Sequence, residues 1–179
     1  MSWPPDFDEL GEVTEANARL ILEEAKAFLS ATVGDAEQLT RNSLYVLGAI
    51  LALLSALAGL IARGINLHVS LTQQDWRQLT VYGVLFGFVA LTGFRLLQGA
   101  FQSRDIEHVG NAPENLVRKE YVSLPHGTLL LLEACSYRER IQRNVARNID
   151  TGVAINTAIK WLCATPLIFA ACSLAITFT

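Results

Sequence analysis

Charged residues are scarce in this chain. Asp, Glu, Lys and Arg make up 17% of its 179 residues, whereas a soluble domain usually carries about a quarter, and 51% of the residues are hydrophobic. The net charge of −3 gives no electrostatic basis for a dedicated nucleic-acid-binding protein. The first ten residues lack the basic and apolar segments of a secretory signal, so we expect the N-terminus to be retained.

Motifs of enzymes and metal sites are also missing. The sequence has no GxGxxG, Walker-type loop, GxSxG or HExxH, and it has no CxxC. We interpret the three cysteines, Cys135, Cys163 and Cys172, as small buried hydrophobic residues rather than disulfide partners or ligands. These absences predict a protein that is not an enzyme and has no cofactor or resident metal.

Three apolar runs are long enough to cross a bilayer. The first run, 43–62, is uncharged. The second, 79–94, extends to Leu97 if Arg95 reaches the headgroups. The third, 161–179, begins at the interfacial pair Lys160 and Trp161. The short connection between the first two runs predicts a hairpin. The sequence therefore predicts an all-α membrane protein with three transmembrane helices.

Basic residues indicate the orientation. The N-terminal segment carries three Lys and Arg, residues 101–160 carry eight, and the connection 63–78 carries two. The positive-inside rule places the N-terminus and the long connection in the cytoplasm and the C-terminus outside. We expect a multi-pass protein of the bacterial inner membrane.

The polar segments show helical periodicity. Residues 10–32 have an apolar pattern that includes Leu20, Ile21 and Phe28, and this helix either stops at Gly34 or continues into the first span. A short helix with Pro113 in its first turn is expected next. Residues 129–150 read as one helix with an apolar stripe at Tyr137, Ile141, Val145 and Ile149, which can continue through Gly152 into the third span. The predicted domains are 1–42 (cytosolic amphipathic helix), 43–98 (transmembrane hairpin), 99–158 (cytosolic helical insert) and 159–179 (third transmembrane helix).

Small residues recur at four-residue spacing in the first two spans, which favours close helix contact. The first span has Gly48, Ala52, Ala56 and Gly59, and the second has Gly83 and Gly87. These seams join either the two arms of one hairpin or neighbouring protomers. We predict that Gly48, Ala52, Gly59, Gly83 and Gly87 contribute to helix packing and to a homo-oligomer.

The spans carry no acidic or basic residue at their centres, which argues against a secondary transporter. A conduction path would need several copies around an axis. Its polar lining candidates, each more simply an intrahelical hydroxyl or amide, are Ser55, Thr80, Thr92, Asn156, Thr157 and Thr165.

A basic flank distinguishes the helix before the third span. It consists of Arg138, Arg140, Arg143 and Arg147. Its simplest role is contact with anionic lipid headgroups. The alternative is recognition of a cytosolic protein, nucleotide or nucleic acid that acts as a trigger.

Histidines offer two weaker sites. Arg63 and His68 have the R-x4-H spacing of some ribonuclease folds, but this pair is common by chance and lies on the predicted outer side, away from RNA. His108 and His126, with Glu107, Glu114 and Glu120, form a conceivable metal or acid/base group, for which solvated loop residues are the simpler interpretation.

The layout of amphipathic helix, transmembrane hairpin, helical insert and third span resembles small membrane effectors of bacterial anti-phage systems. These include SLATT-type proteins and the accessory membrane protein of RNA-targeting type VI CRISPR systems; Arg63 to His68 is the local match. The resemblance implies an oligomer that breaches or depolarises the membrane when a cytosolic partner senses infection. The alternative is a non-conducting anchor or adaptor that recruits a soluble partner.

Overall fold

The described part of the chain forms three long helices. The computed structural model describes residues 13–66, 72–101, 106–110 and 123–177, and these contain α1 (Glu15–Asn66), α2 (Gln73–Ala100) and α3 (His126–Thr177) with no strand. All three helices are long and apolar enough to cross a membrane. The predicted all-α class with three candidate transmembrane helices is thus confirmed.

Helix α1 continues without interruption through Gly34 into the first span. The Thr14 hydroxyl accepts a hydrogen bond from the Asn17 amide at 3.3 Å, and Glu15 places an acidic residue in the first turn. At Gly34 an added Cβ would meet nothing within 4 Å, so no contact with the described residues requires a glycine there. Of the two alternatives at Gly34, the continuous helix is the one formed.

The predicted apolar stripe of the first helix is partly wrong. Leu20, Ile21 and Phe28 are 57%, 47% and 57% exposed, whereas the buried residues follow one another in steps of three, four and seven. Such steps stay close to a period of 3.5 residues, the spacing that keeps one face against a neighbouring helix. Ala18, Leu22, Leu29, Thr32 and Ala36 form this buried face.

Helix α2 begins with a capping box. The Thr72 hydroxyl accepts a hydrogen bond from the Asp75 amide, and the Asp75 carboxylate accepts one from the Thr72 amide at 2.9 Å. This reciprocal pair satisfies backbone donors at the helix start. The helix therefore begins six residues before the apolar run at Leu79, in a polar turn that hydropathy alone did not mark.

Helix α3 combines the predicted insert helix and the third span in one continuous helix of 52 residues. Pro166 lies inside it without ending it. The predicted stripe is correct at Tyr137 and Ile141 but wrong at Ile149, which is 60% exposed. The predicted helix around Pro113 lies outside the described residues.

The chain divides into two compact units. We call residues 1–37 and 104–148 the polar unit and residues 38–103 and 149–179 the membrane unit. Leu22, Leu29, Ala134, Tyr137 and Ile141 form the core of the polar unit. The core of the membrane unit comprises Ile50, Leu57, Val81, Leu85, Val89, Leu96, Ala100, Ile155 and Ala158.

The cysteine prediction is wrong in one respect. All three are free thiols, but none is fully buried, and Cys163 is exposed on the surface of α3. In the polar unit, partial burial raises the pKa of the Cys135 thiol, which disfavours the reactive thiolate.

Candidate functional site

A short non-helical segment, residues 106–110, lies against α3 and is held by polar side chains. The buried Asn144 carboxamide accepts a hydrogen bond from the Glu107 amide at 3.1 Å and donates to the Glu107 carbonyl at 2.9 Å. Its Nδ2 also donates to the Thr32 hydroxyl of α1 at 3.2 Å. One carboxamide thus satisfies both backbone polar groups of Glu107 and links them to α1, because it offers donors and an acceptor on one planar group.

Tyr137 holds the far end of the segment. Its ring is fully buried, and its hydroxyl accepts a hydrogen bond from the Gly110 amide at 3.2 Å and lies 3.3 Å from Glu133 Oε1. Burial raises the pKa of Tyr137, so the hydroxyl keeps its proton and can donate to Glu133. Gly110 has a φ of +111°, a conformation that residues with a Cβ rarely adopt.

Two of the predicted arginines complete this arrangement. Arg140 donates to the carbonyl oxygens of His108 and Gly110, and its Cζ lies 5.4 Å from the centroid of the Tyr137 ring. Arg143 Nη1 lies 3.1 Å from Glu107 Oε1. We call Tyr137, Arg140, Arg143 and Asn144 the segment clamp.

The other two arginines do not belong to the clamp. Arg138 is half-buried. Arg147 has its Nη1 shielded from solvent and without a hydrogen-bond partner among the described residues. The predicted basic flank is therefore divided, since Arg140 and Arg143 bind the chain itself.

The histidine hypotheses gain no support from the geometry. His126 Nδ1 lies 3.0 Å from Glu15 Oε1, and His108 contributes its backbone carbonyl to Arg140. Within the described ranges, no three His, Cys, Asp or Glu residues are placed to hold a metal ion. Arg63 lies exposed in the last turn of α1, while His68, Glu114 and Glu120 fall outside the described residues.

The glycines of the membrane unit separate into two groups. A Cβ at Gly64 would lie 2.9 Å from Leu79 Cδ2, one at Gly93 would lie 3.0 Å from Ile50 Cγ2, and one at Gly99 would lie 2.5 Å from Ala154 Cβ. At Gly48, Gly59, Gly83 and Gly87 a Cβ would meet nothing within 4 Å. Close packing inside the chain thus uses Gly64, Gly93 and Gly99, whereas the predicted seam glycines lie on its outer surface.

The exposed face of α1 in the membrane unit has regular spacing. Gly48, Ala52, Ser55, Gly59 and Ala62 are all exposed and follow one another in steps of four and three. The predicted seam had Ala56, which is also exposed, where this series has Ser55, and it did not include Ala62. This five-residue series is called the small-residue seam below.

Four of the five candidate hydroxyl groups of the pore lining donate hydrogen bonds within their own helices. Ser55 bonds the Leu51 carbonyl at 2.9 Å, Thr80 the Trp76 carbonyl at 2.8 Å and Thr92 the Phe88 carbonyl at 2.9 Å. Thr165 bonds the Trp161 carbonyl at 3.3 Å. Asn156 is exposed and lines a 400 Å³ groove with Asn42 and Tyr45.

Asn144 and Thr32 were missed from sequence because both are polar at core positions. The available signal was the pair Asn144 and Asn148 at i and i+4. Asn148 Nδ2 donates a hydrogen bond to the Thr32 carbonyl at 2.9 Å.

Comparison with known proteins adds no further residues: no family model matches the chain, and no significant match is found among curated proteins or solved structures. The functional proposal therefore depends on the chain's own geometry.

Proposed function

We propose that this protein is an oligomeric pore-forming or membrane-depolarising effector of the bacterial inner membrane. In this proposal the N-terminus and the polar unit face the cytoplasm, the C-terminus lies outside, and a cytosolic protein, nucleotide or nucleic acid triggers the pore. The asymmetry of Lys and Arg supports the orientation. The architectural resemblance to anti-phage effectors supports a role in defence.

The small-residue seam is the observation that carries the proposal. Its residues are exposed, and a Cβ added at Gly48 or Gly59 would meet no atom within 4 Å, so none of the described helices of the same protomer covers these glycines. In lipid, helices associate through close backbone approach, and small residues permit that approach. The steps of four and three fit a left-handed crossing with a second helix. We therefore assign the seam to contacts between protomers.

The lining available to such a pore is largely apolar. Ser55, Thr80 and Thr92 donate their hydroxyl protons to carbonyls of their own helices, so each would offer only the lone pairs of its oxygen to a passing ion. Apolar constrictions open and close by wetting and drying. A pore built from these spans should therefore select poorly among ions and depend on a conformational change to conduct.

Cross-linking tests the seam directly. In a variant in which Cys135, Cys163 and Cys172 are replaced by Ala, we expect Ala52→Cys to form disulfide-linked dimers in native membranes and Ala58→Cys to form few. Both positions are exposed on α1, but Ala58 lies outside the seam. Equal cross-linking at the two positions, or a strictly monomeric particle by native mass spectrometry in mild detergent, would contradict the oligomer.

Leak tests the function. Gly48→Leu and Gly87→Leu should lower both oligomer content and ion release from proteoliposomes, whereas Ala58→Leu adds similar bulk outside the seam and should lower neither. Charge reversal at Arg143 and Arg147 should change triggering of depolarisation in cells more than assembly. If the assembled, triggered oligomer leaves ion flux and membrane potential at baseline, the pore proposal fails.

The non-conducting anchor or adaptor is the second candidate. It is favoured by the exposed apolar residues Leu20, Ile21 and Phe28 on α1 of the polar unit, which a soluble partner could cover. In that case Phe28→Asp should abolish recruitment of the partner, and liposomes containing the protein should show no ion flux. Ion flux that survives Phe28→Asp would favour the pore instead.

A further inference from the structure

A cavity of about 530 Å³ lies in the membrane unit between the start of α2 and the end of α3. Its polar wall comes from the first turns of α2, where Gln73, Gln74, Arg77 and Gln78 line it. Its apolar wall includes Val81, Phe169 and Ile176. The cavity is therefore amphipathic.

Among the described residues, the polar wall has one positive charge, that of Arg77, and no acidic member. Arg77 is half-buried, and its guanidinium makes no hydrogen bond or ion pair with the described residues. Asp75, the nearest acid along the helix, does not line the cavity, because its carboxylate binds the Thr72 amide and hydroxyl in the capping box. A guanidinium flanked by carboxamides offers several N–H donors to one anionic group.

The apolar wall and the aromatic residues beside it fit a position at the edge of a bilayer. Phe169 is 44% exposed beside the cavity, and Val81 in its wall is buried. Trp76, which is 59% exposed, and Tyr82, which lines the cavity, are the aromatic residues that typically mark the level of the headgroups. A ligand here would meet donors at one end and hydrocarbon at the other.

We propose that this cavity binds the headgroup of an anionic phospholipid. The lipid phosphate accepts hydrogen bonds from Arg77 and the neighbouring glutamine amides, and the first methylenes of an acyl chain pack against Phe169 and Ile176. A soluble phosphate shares the first contact but leaves the apolar wall uncovered, which favours the lipid. Lipid binding needs only the insertion of α2 and α3 in a bilayer, so it is independent of pore formation.

Native mass spectrometry of the full-length protein in mild detergent tests this proposal. With phosphatidylglycerol and phosphatidylcholine of identical acyl chains, we expect preferential retention of phosphatidylglycerol. Arg77→Gln should reduce that preference about tenfold, because charge-assisted hydrogen bonds are lost. Arg77→Lys, which keeps the charge but not the planar guanidinium, should retain part of it.

Arg95→Gln is the matched control, since Arg95 is an exposed arginine of the same helix that does not line the cavity. It should leave the preference unchanged. Equal binding of the two lipids, or equal loss in Arg77→Gln and Arg95→Gln, would overturn the proposal. Displacement of phosphatidylglycerol by millimolar inorganic phosphate would also overturn it, because the site would then be one for a soluble anion.

Discussion

In the polar unit, side chains on α3 form hydrogen bonds with the backbone of residues 106–110, which are distant in the chain. In the membrane unit, by contrast, hydroxyl groups donate hydrogen bonds to carbonyls one turn earlier in their own helix. The difference follows from the backbone that each unit must satisfy. Residues 106–110 are not helical, so their N–H and C=O groups need partners from elsewhere. The described backbone of the membrane unit is nearly all helical and has few such groups, which leaves close van der Waals packing at Gly64, Gly93 and Gly99.

The largest effect that separates the two units should come from Asn144→Leu. Removal of the carboxamide strands the Glu107 amide and carbonyl in a partly buried position, at a cost of about 3 kcal/mol in unfolding free energy. The measurement is hydrogen exchange of the Glu107 amide, which should become much faster. Gln142→Leu, at an exposed position of the same helix, is the control, and equal exchange in both variants would contradict the clamp.

Gly99→Ala tests packing in the membrane unit. The new Cβ would lie 2.5 Å from Ala154 Cβ, so one helix must shift, and we expect a loss of about 1–3 kcal/mol of stability. Gly83→Ala makes the same chemical change where no atom lies within 4 Å, and it should stabilise the helix by about 0.5–1 kcal/mol. Thermal unfolding in detergent measures both, and a shift of the same sign in the two variants would show that the distinction is wrong.

Tyr137→Phe should have a smaller effect. It removes the acceptor for the Gly110 amide and the donor to Glu133 but keeps the buried ring, so we expect a loss of about 1 kcal/mol. Tyr45→Phe, at a side chain that is 70% exposed in the membrane unit, should change stability little. Chemical denaturation in detergent compares the pair, and an equal loss in both would remove the special role of the Tyr137 hydroxyl.

Arg143→Gln should have the smallest effect. The ion pair with Glu107 involves an Arg143 side chain that is 63% exposed, where solvent and salt screen the charges, so we expect about 0.5 kcal/mol or less. A double-mutant cycle with Glu107→Gln at low and high salt isolates this contribution. Coupling that persists at high salt would mean that the pair is more strongly desolvated than its exposure indicates.

Much of the helical architecture could be predicted from the sequence, and the errors have one physical origin. Runs of apolar residues and the continuation through Gly152 predicted the long α3 correctly. The stripes that included Leu20, Phe28 and Ile149 assumed that apolar residues are buried, but burial follows the 3.5-residue period set by a packed neighbour. Thr32 and Asn144 are polar and buried for the same reason.

Only part of the candidate site could be predicted from the sequence. The cluster Arg138, Arg140, Arg143 and Arg147 drew attention as a basic flank, but nothing in a linear pattern indicates that Arg140 binds the carbonyls of His108 and Gly110, about thirty residues away. Gly48, Ala52 and Gly59 share one helix, and their spacing alone places them on one face, but their contact with another protomer stays a prediction.

The sequence by itself determined the properties that depend on local composition: helical class, three apolar segments long enough to cross a bilayer, and the periodic placement of small residues along α1. The tertiary structure decided which of those residues are covered. It packs Gly99 against Ala154 and leaves Gly83 open, and it brings Asn144 to Glu107 and Thr32. Such choices depend on atoms distant in the chain, because burial and hydrogen bonding are properties of pairs of elements and not of any one segment.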